Sequence, residues 1–96
     1  MAVTTIWKFP VKIEDRFVVE MPRGAKVLSV AAQRGEPFMW AFVDPALPRA
    51  RRVFRCAGTG HPVGGIAGSV FVGTFQLESL GLVFHLFDLN IEDAQP

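Results

Sequence analysis

The chain has 96 residues, 50% of them hydrophobic and 20% charged, with a formal net charge of +1. This composition excludes a disordered chain, and the near-zero charge excludes a strongly basic nucleic-acid protein or an acidic tail at the level of the whole chain. One domain over residues 1–96 is expected, with a modest core that buries roughly 60% of the unfolded surface.

Apolar residues alternate or fall in short blocks, broken by turn signals every 8–12 residues or so, which is the pattern of short β-strands. With nine glycines and seven prolines in the chain, no window of a dozen residues keeps a helical apolar stripe clear of them. Thr4 to Phe9 is the first strand, closed by Pro10. Arg16 to Met21 is the second, with Phe17, Val19 and Met21 on one face and Arg16 and Glu20 turned away. Pro22-Arg23-Gly24 turns the chain into Lys26–Gln33, where Leu28, Val30 and Ala32 are expected inward. Arg34-Gly35-Glu36-Pro37 is a tight turn in which Gly35 takes a positive φ.

Phe38 to Val43 returns as the partner strand. It is apolar on both faces, with Phe38, Trp40 and Phe42 on one and Met39, Ala41 and Val43 on the other. Such a strand is central and covered on both sides, or one of its faces is a protein contact. After the Asp44–Pro48 loop, Arg51–Ala57 is the next strand. Gly58 to Gly68 holds five glycines and reads as an irregular connection. Ser69–Leu77 and Gly81–Phe87 form a hairpin through Glu78-Ser79-Leu80. The ordered core is expected over 4–88, with residues 89–96 frayed. The fold class is all-β, a small antiparallel β-sandwich or partly open β-barrel of about seven short strands.

The single cysteine, Cys56, excludes an internal disulfide and favours a reducing compartment. The N-terminus has no basic n-region followed by an apolar run, and no apolar stretch is long enough to span a bilayer. A cytoplasmic protein without membrane association is expected.

Charge is uneven. The first 55 residues carry ten basic and five acidic side chains, and the last 41 carry four acids and no Lys or Arg. Arg49, Arg51, Arg52 and Arg55 form the densest cluster. Strand alternation puts Arg51 and Arg55 on one face with Val53, and Arg52 on the other with Phe54 and Cys56. The cluster reads either as a patch for phosphate or an acidic partner or, more simply, as a solvated edge strand protected by charge.

Reactive constellations are weak. Gly58-Thr59-Gly60-His61-Pro62-Val63-Gly64 lacks the third glycine of a dinucleotide loop and precedes no helix, so no anion cradle forms. A metal site would need Cys56, His61, His85 and an acid to converge without any paired ligand motif. A nucleophilic Cys56 with His61 and Asp44 is conceivable, but the Phe54 face makes Cys56 a small hydrophobe. His85 reads as a structural strand histidine, and His61, between Gly60 and Pro62, as an exposed loop residue. Trp40 is expected in the core. Trp7 is either core or an anchor on a surface patch.

Several blocks stand together: Ile6-Trp7-Lys8-Phe9-Pro10; Met21-Pro22-Arg23-Gly24-Ala25 with Leu28-Ser29-Val30; Trp40-Ala41 with Val43-Asp44-Pro45; Gly58-Thr59-Gly60-His61-Pro62; Gly73-Thr74-Phe75-Gln76; and Val83-Phe84-His85. From Thr4 to Phe87 the chain resembles a family of small bacterial and phage or prophage proteins of about this length with no assigned function. The resemblance implies a stand-alone cytoplasmic domain and assigns no catalytic residue.

The expected function is therefore a non-enzymatic interaction module with no cofactor and no metal, since a small domain this apolar must leave apolar surface for a protein partner or a second copy to cover. The candidate contact residues are Arg49, Arg51, Arg52, Arg55, Trp7 and His61. The alternative is nucleic-acid binding by a small β-barrel through the Arg49–Arg55 cluster.

Overall fold

The structure is a computed structural model and describes residues 4–94. Seven strands run antiparallel: β1 (Thr5–Pro10), β2 (Arg16–Pro22), β3 (Lys26–Gln33), β4 (Glu36–Val43), β5 (Arg49–Gly58), β6 (Val70–Leu77) and β7 (Leu82–Ala94). They form a three-stranded sheet in the order β1-β4-β3 and a four-stranded sheet in the order β2-β5-β7-β6. The fold is all-β as expected, and of the two closures it is two packed sheets rather than a barrel.

The core lies between the inner faces. Phe9, Val30, Met39, Ala41 and Val43 come from the smaller sheet, and Phe17, Met21, Phe54, Phe75, Phe84 and Leu86 from the larger. Phe17 stacks on Phe54 at 5.4 Å, and Phe75 on Phe84 at 5.7 Å. Each pair joins directly opposed residues of neighbouring strands, the arrangement in which cross-strand aromatics stabilise a sheet.

Strand β4, apolar on both faces, takes its orientation from β1. Lys8 cannot be buried without a charged partner, so it faces solvent, and Trp7 and Phe9 on either side of it face inward. The register pairs Lys8 with Trp40, Trp7 with Ala41 and Phe9 with Met39. Met39, Ala41 and Val43 are therefore buried, and Trp40 lies on the outer face. The expectation of a core Trp40 is corrected by this pairing.

Two other expectations change. A bulge between Val27 and Ser29 shifts the register of β3, so Val27 packs on the core and Leu28 is exposed; Val30 is buried as expected, and Ala32, opposite Pro37 near the strand end, is exposed. The chain also does not fray from residue 89: β7 continues to Ala94, with Ile91 to Ala94 paired to Val53 to Ala50. Gln95 and Pro96 lie outside the described residues.

The β3–β4 turn has the expected tight form. Arg34 (φ 54°) and Gly35 (φ 79°) are both left-handed, as a two-residue hairpin loop that matches strand twist requires. Gly73 of β6 lies close to Val30 of β3. A Cβ there would lie 3.0 Å from Val30 Cγ1, so any side chain requires the Val30 methyl to give way by a few tenths of an ångström.

Candidate functional site

The four clustered arginines do not form one patch. Arg52 points into the sandwich and is 6% exposed. Its guanidinium donates from Nε and Nη2 to the two Asp88 oxygens, at 3.1 Å each, from Nη1 to Glu92 Oε2 at 2.7 Å, and from Nη2 to the Ala25 carbonyl at 2.6 Å. Glu92 in turn accepts from the Gly24 N–H at 3.1 Å. A buried arginine held by two carboxylates and a carbonyl is a structural group, so Arg52 is withdrawn from the candidate contact surface.

The strands are built for this network. Between Val53 and Phe54 the register of β5 against β7 jumps from Ile91 to Asp88. Leu89 and Asn90 are looped out, and Asn90 adopts φ 62°. The loop brings Asp88 and Glu92 to positions opposite Phe54 and Arg52, both within reach of one guanidinium. Asp88 Oδ1 also accepts from the Asn90 N–H at 2.9 Å, which pins the bulge.

The other three arginines separate. Arg49 lies over the Trp7 ring, 5.7 Å from its centroid, a cation–π contact. Arg51 stands between Glu20 and Asp93 in register, with an acid rather than an arginine opposite it on each side. Arg55 is half-buried on the outer face, opposite Arg16. Trp7, the candidate surface anchor, packs against the core from the inner face of β1. His61 is exposed in the loop after β5, where its N–H donates to the Gly58 carbonyl at 3.1 Å.

Residues not singled out as contacts build the more prominent surface. On the outer face of β1-β4-β3, Ile6, Lys8 and Pro10 pair with Phe42, Trp40 and Phe38. On the other side Lys26, Ser29 and Ala31 pair with the same three aromatics. Ile6 is 51% and Phe42 41% exposed, and Leu28 in the bulge of β3 is exposed as well. Lys8 Nζ lies 4.4 Å from the Phe38 centroid and donates to Gln33 Oε1 at 2.9 Å. Glu36, at one end of β4, is the only acid in the three strands. The two apolar faces of β4 were the available signal for this surface.

The polar residues considered for chemistry are engaged otherwise. His85 hydrogen-bonds Thr59 Oγ1 through Nε2 and Thr74 Oγ1 through Nδ1, both at 2.8 Å, so both ring nitrogens are satisfied within the sheet. Among the described residues no three His, Cys, Asp or Glu side chains come together as a metal-ligand set. Cys56 is buried, and burial first, with the Asp15 charge second, pushes its thiol from 9.0 up to about 11. A thiol so placed is a poor nucleophile near neutral pH, which counts against the Cys56–His61 reading.

The raised thiol pKa has a consequence for stability. Above pH 9 the unfolded chain loses the Cys56 proton while the folded chain keeps it, so the Cys56 contribution is fully present below about 9 and is lost as pH rises through about 11. Between pH 8 and 10.5 the wild type is expected to lose about 2 kcal/mol more than Cys56→Ala, measured by urea denaturation of both chains. Equal losses in the two chains would refute the assignment.

The fold and its sites define a small two-sheet β domain with an internal ion-pair network and an aromatic outer face. The chain belongs to the family described as Domain of unknown function (DUF7352), whose model matches residues 2–95. Comparison with curated proteins and with solved structures gives no match. Among the described residues no helix is long and apolar enough to cross a membrane.

Proposed function

We propose that this protein is a non-enzymatic interaction module that docks another protein on the outer face of β1-β4-β3. The observation that carries the reading is the row Phe38, Trp40 and Phe42 along the central strand, continued by Ile6 on β1, on the outer face of the smaller sheet, where Ile6 and Phe42 are exposed and Phe38 and Trp40 half-buried. Exposed aromatic and aliphatic groups gathered in one patch are the usual anchors of protein interfaces. Lys8 and Lys26 flank the row, so the partner has an apolar centre and an acidic rim. A second copy of this chain would bring like-charged lysine rims together, which disfavours a homodimer through this face. The single buried cysteine supports a reducing, cytoplasmic setting, and the sequence blocks support a phage or prophage accessory role.

The test compares the wild type with Phe42→Asp and with Leu80→Asp, an exposed position in the β6–β7 connection. Proteins retained from nuclease-treated bacterial lysate are identified and the partner is purified. The expected result is one protein that Phe42→Asp no longer retains, that Leu80→Asp still retains, and that shifts Trp40 emission in a Trp7→Phe background. Retention unaffected by Phe42→Asp would overturn the reading. A wild-type dimer in sedimentation that Phe42→Asp dissolves would replace the foreign partner with a second copy.

A further inference from the structure

The outer face of the larger sheet carries a second arrangement, distinct from the docking face proposed above. The antiparallel registers set Arg16 of β2 opposite Arg55 of β5, Arg55 opposite Phe87 of β7, and Phe87 opposite Phe71 of β6. The four side chains form one row across all four strands, spanning about 14 Å at the usual strand spacing. Directly opposed like charges destabilise a sheet, yet neither Arg16 nor Arg55 has an ion-pair partner among the described residues, where the only ion pairs are those of Arg52. Asp15, beside Arg16 in the chain, forms none with either. The chain also supplies no acceptor for the buried Arg55 Nε–H, although buried donors are nearly always paired. Two opposed arginines without an ion-pair partner suit an oxyanion, and arginine forks suit phosphate in particular.

The rest of the row narrows the ligand. Phe71 is 55% exposed and its ring meets Phe87 at 5.4 Å, tilted by 55°. An exposed ring face beside a phosphate site offers a base a stacking surface. The steps of about 5 Å from Arg55 to Phe87 and again to Phe71 match the reach from a phosphate to the base it carries. We propose that this row binds single-stranded nucleic acid, with backbone phosphates on Arg16 and Arg55 and a base on Phe71. An acidic or phosphorylated peptide would use the arginines without needing the aromatic end.

The experiment is fluorescence anisotropy of a labelled oligothymidylate of about ten nucleotides with the full chain over a salt series. Two phosphate contacts predict a slope of log K against log salt of about −1.4. Phe71→Ala is expected to weaken binding about 5- to 150-fold, the range of one lost base stack, and Arg16→Ala to weaken it and flatten the slope by about 0.7. Both positions are exposed, and circular dichroism confirms that the variants fold. Arg51→Ala, outside the row and opposite Glu20 and Asp93 in register, leaves both quantities unchanged. Absence of binding at low salt, or equal losses in Arg51→Ala and Arg16→Ala, would overturn the proposal. Binding that ignores Phe71→Ala and is competed by a polyglutamate or phosphoserine peptide would do the same in favour of a peptide ligand.

Discussion

Replacing Arg52 by methionine is expected to destabilise the fold by about 3–5 kcal/mol, because it leaves Asp88 charged and buried without its main partner. Asp88 is 5% exposed and would retain only the Asn90 N–H, at 2.9 Å. The same substitution frees the Ala25 carbonyl, which now accepts from Arg52 at 2.6 Å, and so loosens the β2–β3 turn that links the two sheets. For a domain of this size total stability is about 5–15 kcal/mol, so the variant stands near the unfolding threshold. A drop of more than about 12 °C in Tm is expected, since each kcal/mol moves a domain of this size by about 4–8 °C. Arg51→Ala, one residue away but exposed, should change stability by no more than about 0.5 kcal/mol. Combining Arg52→Met with Asp88→Leu should recover most of the loss, because removing both charges also removes the cost of burying them. If Arg52→Met lost no more than Arg51→Ala, the network would have no structural role.

Much of this arrangement was legible in strand alternation. Period-two patterning puts Arg52 on the side of Phe54 and Cys56, and an arginine on a core face implies an acid opposite it. The excess of acids after Arg55 was the matching signal. The identity of those acids was not legible, because it depends on a two-residue bulge in β7 and on a pairing between strands more than 30 residues apart. The bulge in β3 hid part of the inward side of that strand in the same way: the extra residue puts Val27 and Val30, three apart, on one face and turns Leu28 out. The outward face of Trp40 was hidden for a related reason, while strand alternation alone leaves Trp7 open between core and surface. Each is apolar enough for a core, and only the pairing of Trp40 with Lys8 decides which of them faces out. The row Arg16, Arg55, Phe87 and Phe71 draws one residue from each of four strands. No local spacing encodes it, and it exists only once the strand order is known.

The same dependence on face governs the other large effect. Phe54→Ala is expected to cost about 3–5 kcal/mol, as Phe54 is fully buried and stacks on Phe17 at 5.4 Å. Its ring lies between the two sheets, where Met21 and Leu86 are also fully buried, so neighbours on every side must collapse into the space it leaves. Phe71→Ala removes the same number of atoms from a strand of the same sheet and breaks an aromatic contact of the same length, 5.4 Å to Phe87. Its cost should be about 1 kcal/mol or less, the worth of an aromatic pair with little burial behind it, because more than half of that side chain is already in water. Urea denaturation of the two variants side by side measures the difference. A cost for Phe71→Ala close to that of Phe54→Ala would mean that Phe71 is covered in solution, and would place a partner or a second copy on that face even before any ligand is added. A small cost for Phe71→Ala together with lost oligonucleotide affinity would separate the two roles of phenylalanine in this chain. Inside the sandwich the ring fills volume, and outside it offers a surface.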